Sequence, residues 1–299
     1  DLLVASATLG IPHPTGYPLF VLLGRVASLL PLGSVAFRIN LVAALAGAAS
    51  VFFLALLVLE LAAPRGGPDR DGTRDPRGGP GAAIAAVGAA LAYAFSRGAW
   101  SQSVLAEVYT LNAAFLGAVL WALARAERTA SARHLCLAAF LFGLGLTNHR
   151  LVLAAGPALA LVAWRLAANR TIGLPGLVLS PLLSIWGTTL YLFLPIRALA
   201  GPEFSWGVPS TPERFWWVVS GAQYARHFFE RGAVETLAYL VPGRLGTDFG
   251  WGLAAVGEGD LGLKEGHAPL VAHQLGGNAG LGMLGAQPEE TPFHLQIVP

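Results

Sequence analysis

Long apolar runs alternate along this chain with short clusters of arginine, proline and glycine, and that alternation predicts most of its architecture. The apolar runs cover about residues 39–63, 82–95, 104–124, 135–146, 151–167 and 174–194. A bilayer core about 30 Å thick needs about 20 mostly apolar residues per helix. The pattern therefore predicts an all-α fold, a polytopic transmembrane helix bundle. The run 135–146 is short, so tilt or local thinning must help it span. Residues 18–30 are also short, and proline-flanked, which suits an interfacial or re-entrant helix. Four parts follow: a first outer loop with that helix (1–38), the bundle (39–195), an outer-face segment with amphipathic helices (196–251) and an irregular tail (252–299). In the third part, Thr211 ahead of Pro212 and Glu213 predicts a helix start. That helix would carry Trp216 and Trp217 where interfacial aromatics usually sit. The tail loses all periodicity and is expected to fall outside the native fold.

Composition supports the membrane reading. The chain is 55% hydrophobic and 12% charged, against roughly 25% charged residues in soluble domains, and its mean hydropathy is +0.59. A net charge of +2 makes no electrostatic case for nucleic acid. With Cys136 as the only cysteine, an intrachain disulfide is excluded. Arginine sets the expected orientation. Arg65, Arg70, Arg74 and Arg77 lie in one connection, Arg125, Arg128 and Arg133 in the next, and Arg165 and Arg170 in a third. The positive-inside rule makes these three loops cytoplasmic. Residues 1–38, 97–103, 148–150 and the segment after Pro195 then fall on the outer side.

The polar side chains hardest to explain by packing gather near those outer ends. A transporter keeps its polar site near the midplane, on broken helices. An enzyme that meets a lipid-borne substrate needs its groups at the rim instead. Glu107, in "WSQSVLAEVYTLN", lies one turn inside an apolar run, where a carboxylate requires a wet cavity or a partner. Helical spacing would put Ser103, Glu107 and Thr110 on one stripe. Two readings stay open: a pairing with Arg97 or Arg150 that locks helices, or a place in a substrate site. Tyr109 and Asn112 suit interhelical hydrogen bonding. The tight turn Asn148-His149-Arg150 suits either an anion such as phosphate or plain turn chemistry with a snorkelling arginine. Arg197, after "YLFLPI", is a phosphate clamp or an interface anchor, and Arg25 and Arg38 share that ambiguity. Pro12 and Pro14 hold His13 in a rigid extended segment. There is no metal-ligand spacing, P-loop, dinucleotide glycine pattern or nucleophile elbow, so no metal or cofactor is expected.

The stretches "ATLGIPHPTGYPLFVLLGR", "WSQSVLAEVYTLN", "GLGLTNH", "YLFLPIRA" and "TPERFWWVVSGAQY" follow one another in this chain. With them, residues 1–251 resemble a family of polytopic GT-C glycosyltransferases whose eukaryotic relatives include a transmembrane protein O-mannosyltransferase. The resemblance implies inverting transfer of a mannose-like sugar from a polyprenyl-phosphate carrier to a hydroxyl of a protein or glycan acceptor. Membrane lipid is then a partner, and nucleic acid is not. The family's first-loop pattern runs Asp-Ser-Gly-Glu-Leu; Asp1-Leu2 matches its last two positions, with Asp in place of Glu. Asp1 and Glu107 are the catalytic residues so implied: Asp1 takes the acceptor's proton, while Glu107 positions acceptor or sugar. His149, Arg150 and Arg197 would face the lipid phosphate. His13 is presented at the lipid–water boundary, and Tyr17, Tyr109, Asn148 and Trp206 complete the substrate-binding set. Two positions depart from the family's pattern: Arg150 stands where leucine is more usual, and Val208 where aspartate is common.

The chain begins inside that first-loop pattern, so an inactive fragment of such an enzyme is one alternative expectation. A transporter or flippase of lipid-linked sugars is another. The arginine- and alanine-rich composition points to GC-rich bacterial coding. The expected location is accordingly a bacterial inner membrane, with the site facing the periplasm.

Overall fold

The computed structural model describes residues 1–63 and 79–227. The predicted linker at 64–81 lies almost wholly outside the described residues. Residues 228–251 of the outer-face segment and the tail 252–299 lie outside them too.

Regular structure among the described residues is helical, apart from one isolated bridge between Ile11 and Ser205. Two short helices, α1 (Leu2–Thr8) and α2 (Pro18–Ser28), lead into the long α3 (Val35–Ala62). Next come α4 (Gly79–Ala94) and α5 (Arg97–Ser103), which meet at a 62° bend. The pair α6 (Tyr109–Thr129) and α7 (Ala132–Leu146) follows. A 3-10 turn at Arg150–Ala155 runs into α8 (Gly156–Ala168), and α9 (Leu174–Thr188) passes through a second such turn into α10 (Phe193–Leu199). Then α11 (Pro212–Ser220) precedes a last 3-10 turn, Ala222–His227. Among the described residues four helices are long and apolar enough to cross a membrane: Val35–Ala62, Tyr109–Thr129, Arg150–Ala168 and Leu174–Leu199. The bent pair α4–α5 makes a fifth if read as one span. Leu45, Phe52, Ile84, Ile185 and Trp186 project outward, an apolar exterior that suits lipid and not water. The protein is a multi-pass all-α membrane bundle.

All six apolar runs form helices, but the third begins later than predicted. The span expected from Val104 starts at Tyr109, and residues 104–108 are irregular. The Ser101 and Ser103 hydroxyls bond back to the carbonyls of Gly98 (3.1 Å) and Ala99 (2.7 Å). Such back-bonding competes with the helical ladder, and α5 ends at Ser103. Glu107 is therefore on a connection, not on a helical stripe with Ser103 and Thr110. The predicted start at Thr211 is found as drawn: its side chain accepts from the Arg214 N–H (3.4 Å), with Pro212 in the first turn.

The bundle core lies where α6, α7 and α8 meet, around Val119, Leu123, Leu135, Val162 and Leu166. Helices α7 and α9 approach so closely that only glycine fits between them. A Cβ on Gly187 would stand 2.5 Å from the Leu144 nitrogen and 2.7 Å from the Phe140 carbonyl, and one on Gly143 would overlap the Ser184 carbonyl. Close contact through small residues is how helices associate in lipid, where burial from water offers no drive. At the opposite end from α1 and α2, the side chain of Glu60 on α3 is only 5% exposed and is held by Arg125 (3.1 Å) and Arg128 of α6.

A set of side-chain and backbone hydrogen bonds draws the non-spanning pieces to one end of the bundle. Arg25 of α2 donates to the Ala7 carbonyl (2.5 Å), and Arg38 of α3 to the carbonyls of Ser28 and Leu30 (2.5 Å each). Tyr191 donates to the Leu146 carbonyl (2.7 Å) and Arg197 to the Leu9 carbonyl (2.8 Å). Ile11, Leu194, Ala198 and Val218 form a small core under these strands of chain.

Candidate active site

The first loop is shaped by its contact with the segment ahead of α11. The Ile11 N–H donates to the Phe204 carbonyl (2.9 Å), and the Trp206 N–H to the Ile11 carbonyl (2.8 Å). Gly10 permits that approach, since a Cβ there would lie 2.6 Å from the Phe204 oxygen. Beyond it, His13 to Gly16 folds into a turn closed by Gly16 N–H to the His13 carbonyl (2.9 Å). Pro12 thus precedes a turn that holds Pro14 within it, in place of the extended segment expected. Tyr17 follows with a left-handed backbone (φ 40°) and caps α2, which turns its side chain back under the loop.

This loop forms one wall of a cavity of about 240 Å³. His13, Pro14, Thr15 and Tyr17 line that wall; Tyr109 comes from the head of α6, His149 and Arg150 from the turn after α7, and Tyr224 from the last 3-10 turn. Its rings are organised. Tyr17 stacks parallel on His149 with centroids 6.1 Å apart, Tyr109 leans on the same His149 ring at 5.5 Å, and His13 meets Tyr17 edge-on at 5.0 Å. Below them runs a hydrogen-bonded chain: Asp1 Oδ2 stands 2.5 Å from His13 Nδ1, and His13 Nε2 stands 3.0 Å from the Tyr17 hydroxyl. The Asp1 carboxylate also accepts from the His13 N–H (3.3 Å), and the Tyr17 hydroxyl reaches the Pro14 carbonyl (3.0 Å).

Burial sets the charge state here. It pushes the His13 pKa below the ordinary histidine value, with the Glu107 carboxylate pulling the other way. His149 is lowered by burial and then by the positive charges of Arg150 and His13. The Tyr17 phenol is raised, first by burial and then by Tyr224, Tyr109 and Glu107. Burial thus favours the neutral forms of His13, His149 and Tyr17, and the Arg150 guanidinium lies on the same cavity wall. Glu107 faces the same groups from the α5–α6 connection.

The structure brings together seven of the ten residues singled out by sequence. His13, Tyr17, Tyr109, His149 and Arg150 line the cavity, Asp1 touches His13 from behind, and Glu107 acts on His13 and Tyr17. The other three build the frame. Asn148 is fully buried, and its amide donates to the Val108 carbonyl (3.0 Å), tying the tight turn to the head of α6. Arg197 is spent on the Leu9 carbonyl, and the Trp206 indole donates to Gln223 (3.2 Å). Arg150 combines both roles, since its guanidinium also donates to the Ser220 carbonyl (3.3 Å). Sequence reasoning missed Thr15 and Tyr224. Both stand inside quoted motifs, but nothing in their spacing marks them as cavity residues. Among the described residues no cluster of three or more His, Cys, Asp or Glu side chains is arranged to hold a metal ion.

Fold and site together define a polytopic membrane protein of the helical-bundle class, with a polar aromatic cavity at one end of the bundle. Residues 1–171 match the family model described as the protein O-mannosyl-transferase TMEM260 N-terminal domain, and the chain belongs to that family. It is 32% identical over 222 residues to a mouse (Mus musculus) protein named protein O-mannosyl-transferase TMEM260, a match covering 72% of this chain and 29% of the mouse protein. The chain thus spans under a third of that relative's length. No solved structure matches it.

Proposed function

We propose that this chain carries the donor-binding end of a membrane glycosyltransferase of GT-C type. The enzyme moves a mannose-like sugar from a polyprenyl-phosphate carrier to a hydroxyl of a protein or glycan on the outer face, with inversion at the anomeric carbon. The observation that carries the reading is the cavity beside Arg150, His149 and Glu107, at the end of the bundle where loops and spans meet. Its support is the family membership and the name borne by the mouse relative. A volume of about 240 Å³ falls just below the usual range of small-molecule sites, ~300–1,000 Å³, which suits one monosaccharide ring better than an oligosaccharide. Aromatic faces offer a sugar ring its apolar surface while their hydroxyls and nitrogens meet its polar rim. An acceptor hydroxyl is a weak nucleophile, so a first-loop group takes its proton as its oxygen attacks the anomeric carbon. The bond from that carbon to the phosphate oxygen breaks, and the phosphate leaves with the electron pair. Arg150 and His149 would stabilise the charge developing there, and Glu107 would hold the acceptor or sugar in line. The implied location is a bacterial inner membrane with the cavity facing outward.

The test is a transfer assay on the full-length protein in reconstituted vesicles, with labelled polyprenyl-phosphate mannose and an acceptor peptide. Glu107→Gln is expected to lower kcat/KM by about 10²-fold, the effect of misplacing a reactant. Unchanged turnover would remove Glu107 from the site. Sugar taken from a nucleotide donor without the lipid would sink the donor assignment. Lipid-linked sugar carried across the bilayer without transfer would make this a flippase instead.

A further inference from the structure

We propose that Tyr224 is a specificity-determining residue of this site, a contact for the sugar ring of the donor, and that Trp206 and Arg150 position it in the cavity. The proposal rests on the transferase reading of the same site and deepens it. It gives one side chain the task of telling donor sugars apart.

Tyr224 lies on the last 3-10 turn, Ala222–His227, just beyond α11, and shares the cavity wall with Tyr17, Tyr109, His149 and Arg150. The chain around it is held at four points. On α11, Val218 is fully buried beside Ile11 and Leu194, which fixes the helix that leads into the turn. Gly221 ends that helix in a left-handed conformation (φ 64°), and its carbonyl accepts from the Tyr224 N–H (2.9 Å). Arg150 donates to the Ser220 carbonyl (3.3 Å). It comes so near that a Cβ on Gly221 would stand 2.9 Å from its Nη1, so this approach also requires glycine. Trp206 grips the other flank. Its indole donates to the Gln223 side chain (3.2 Å) while its backbone N–H donates to the Ile11 carbonyl (2.8 Å), so the first loop and the turn share one anchor.

These ties fix the backbone on both flanks of Tyr224 and leave its side chain unspent. Of the three tyrosines in the cavity, Tyr17 has its ring on His149 and its hydroxyl on His13 and Pro14, and Tyr109 leans on His149. Among the described residues the Tyr224 ring meets no other ring and its hydroxyl has no hydrogen-bond partner. A tyrosine presents a large rigid surface at the cost of ordering two torsions. Its face suits the C–H surface of a hexose, and its hydroxyl both donates and accepts. Holding a turn from two distant elements serves a ligand site, where a contact must be in place before the ligand arrives. Arg150 decides which part of the ligand that is. The guanidinium assigned to the donor phosphate also holds Ser220, four residues ahead of Tyr224, and the group bonded to that phosphate is the sugar. Tyr224 thus meets the ring while Arg150 meets the phosphate that leaves it.

The experiment measures transfer by the full-length protein in reconstituted vesicles, from polyprenyl-phosphate mannose and from analogues that each lack one ring hydroxyl. Donor and acceptor KM are read separately. Wild type is expected to discriminate against one analogue. Tyr224→Phe should lose about 2–10-fold in kcat/KM for the parent donor, the effect of one neutral hydrogen bond, and treat the parent and that analogue alike. Tyr224→Ala should raise donor KM about tenfold through loss of the ring face. Trp206→Phe keeps a ring but removes the indole N–H. It should shrink the same discrimination, with no further loss when combined with Tyr224→Phe, as expected of coupled positions. A ratio between donors left in place by Trp206→Phe would remove its positioning role. Discrimination unchanged in Tyr224→Phe, or a KM effect confined to the acceptor peptide, would overturn the proposal and leave the transferase reading standing. A wild type that transfers no sugar from the lipid donor would remove the reading and the sugar contact with it.

Discussion

His149 shows how one residue's surroundings set its behaviour. It stacks on Tyr17, leans on Tyr109 and sits beside Arg150, and burial first, then the adjoining positive charges, hold its pKa below the ordinary histidine value. The unfolded chain therefore binds this proton at a higher pH than the folded one. Its contribution to stability is complete above about pH 6.5 and is lost as pH falls through the lowered folded value. Melting temperature in detergent is expected to drop between pH 7 and pH 5, with a shallower slope in His149→Gln. An equal slope in the variant would show that other groups carry the acid sensitivity. At this scale the sequence was a fair guide to which residues gather around the cavity and a poor one to how each is held there. Asn148 and His149 are adjacent, equally polar and in one turn, yet the first is walled in as a strap and the second faces the cavity. Which way a turn residue points follows from its partner across space, here the Val108 carbonyl.

Between helices, the Glu60 contact is the clearest case of an element held by charge. Its carboxylate, at the end of an apolar α3, is clasped by Arg125 and Arg128 at the matching end of α6. Removing one partner of such a buried pair strands the rest, at about 3–5 kcal/mol; Arg125 and Arg128 keep 40% and 26% exposure, which puts Glu60→Ala near the low end. A fall in detergent melting temperature with a largely retained donor affinity is the expected outcome. An unchanged melting curve would mean that the arginines satisfy themselves in water. By contrast, the exposed pair Arg165–Glu127 (2.7 Å) should contribute little. The six apolar runs were readable as helices because length and hydropathy alone decide them. The break at 104–108 was not, because it depends on serine hydroxyls turning back on α5 and on the packing of Ala106 and Val108 beside Phe20 and Ile39.

For the whole molecule, the decisive feature is convergence. The first loop, the α5–α6 connection, the turn after α7 and the segment from α10 to Tyr224 come from distant parts of the chain and meet at one end of the bundle. Cysteine-accessibility mapping in intact cells should therefore find positions 13, 107 and 149 on one face of the membrane, with 128 and 168 on the other. Labelling that divides the first three between the two faces would remove the topology on which the site rests.

The sequence by itself determined the class of fold and the end of the bundle where the polar cavity lies. Both depend on local quantities: the length of apolar runs, the placement of arginine between them and the motifs at their ends. The tertiary structure alone decided that Arg197, Trp206 and Asn148 brace the frame, that Asp1 addresses an imidazole instead of the cavity, and that Thr15 and Tyr224 join the wall. Those assignments rest on hydrogen bonds between groups up to 188 positions apart, as between Arg197 and Leu9. No periodicity along the chain encodes such a contact, because it exists only once the helices have packed.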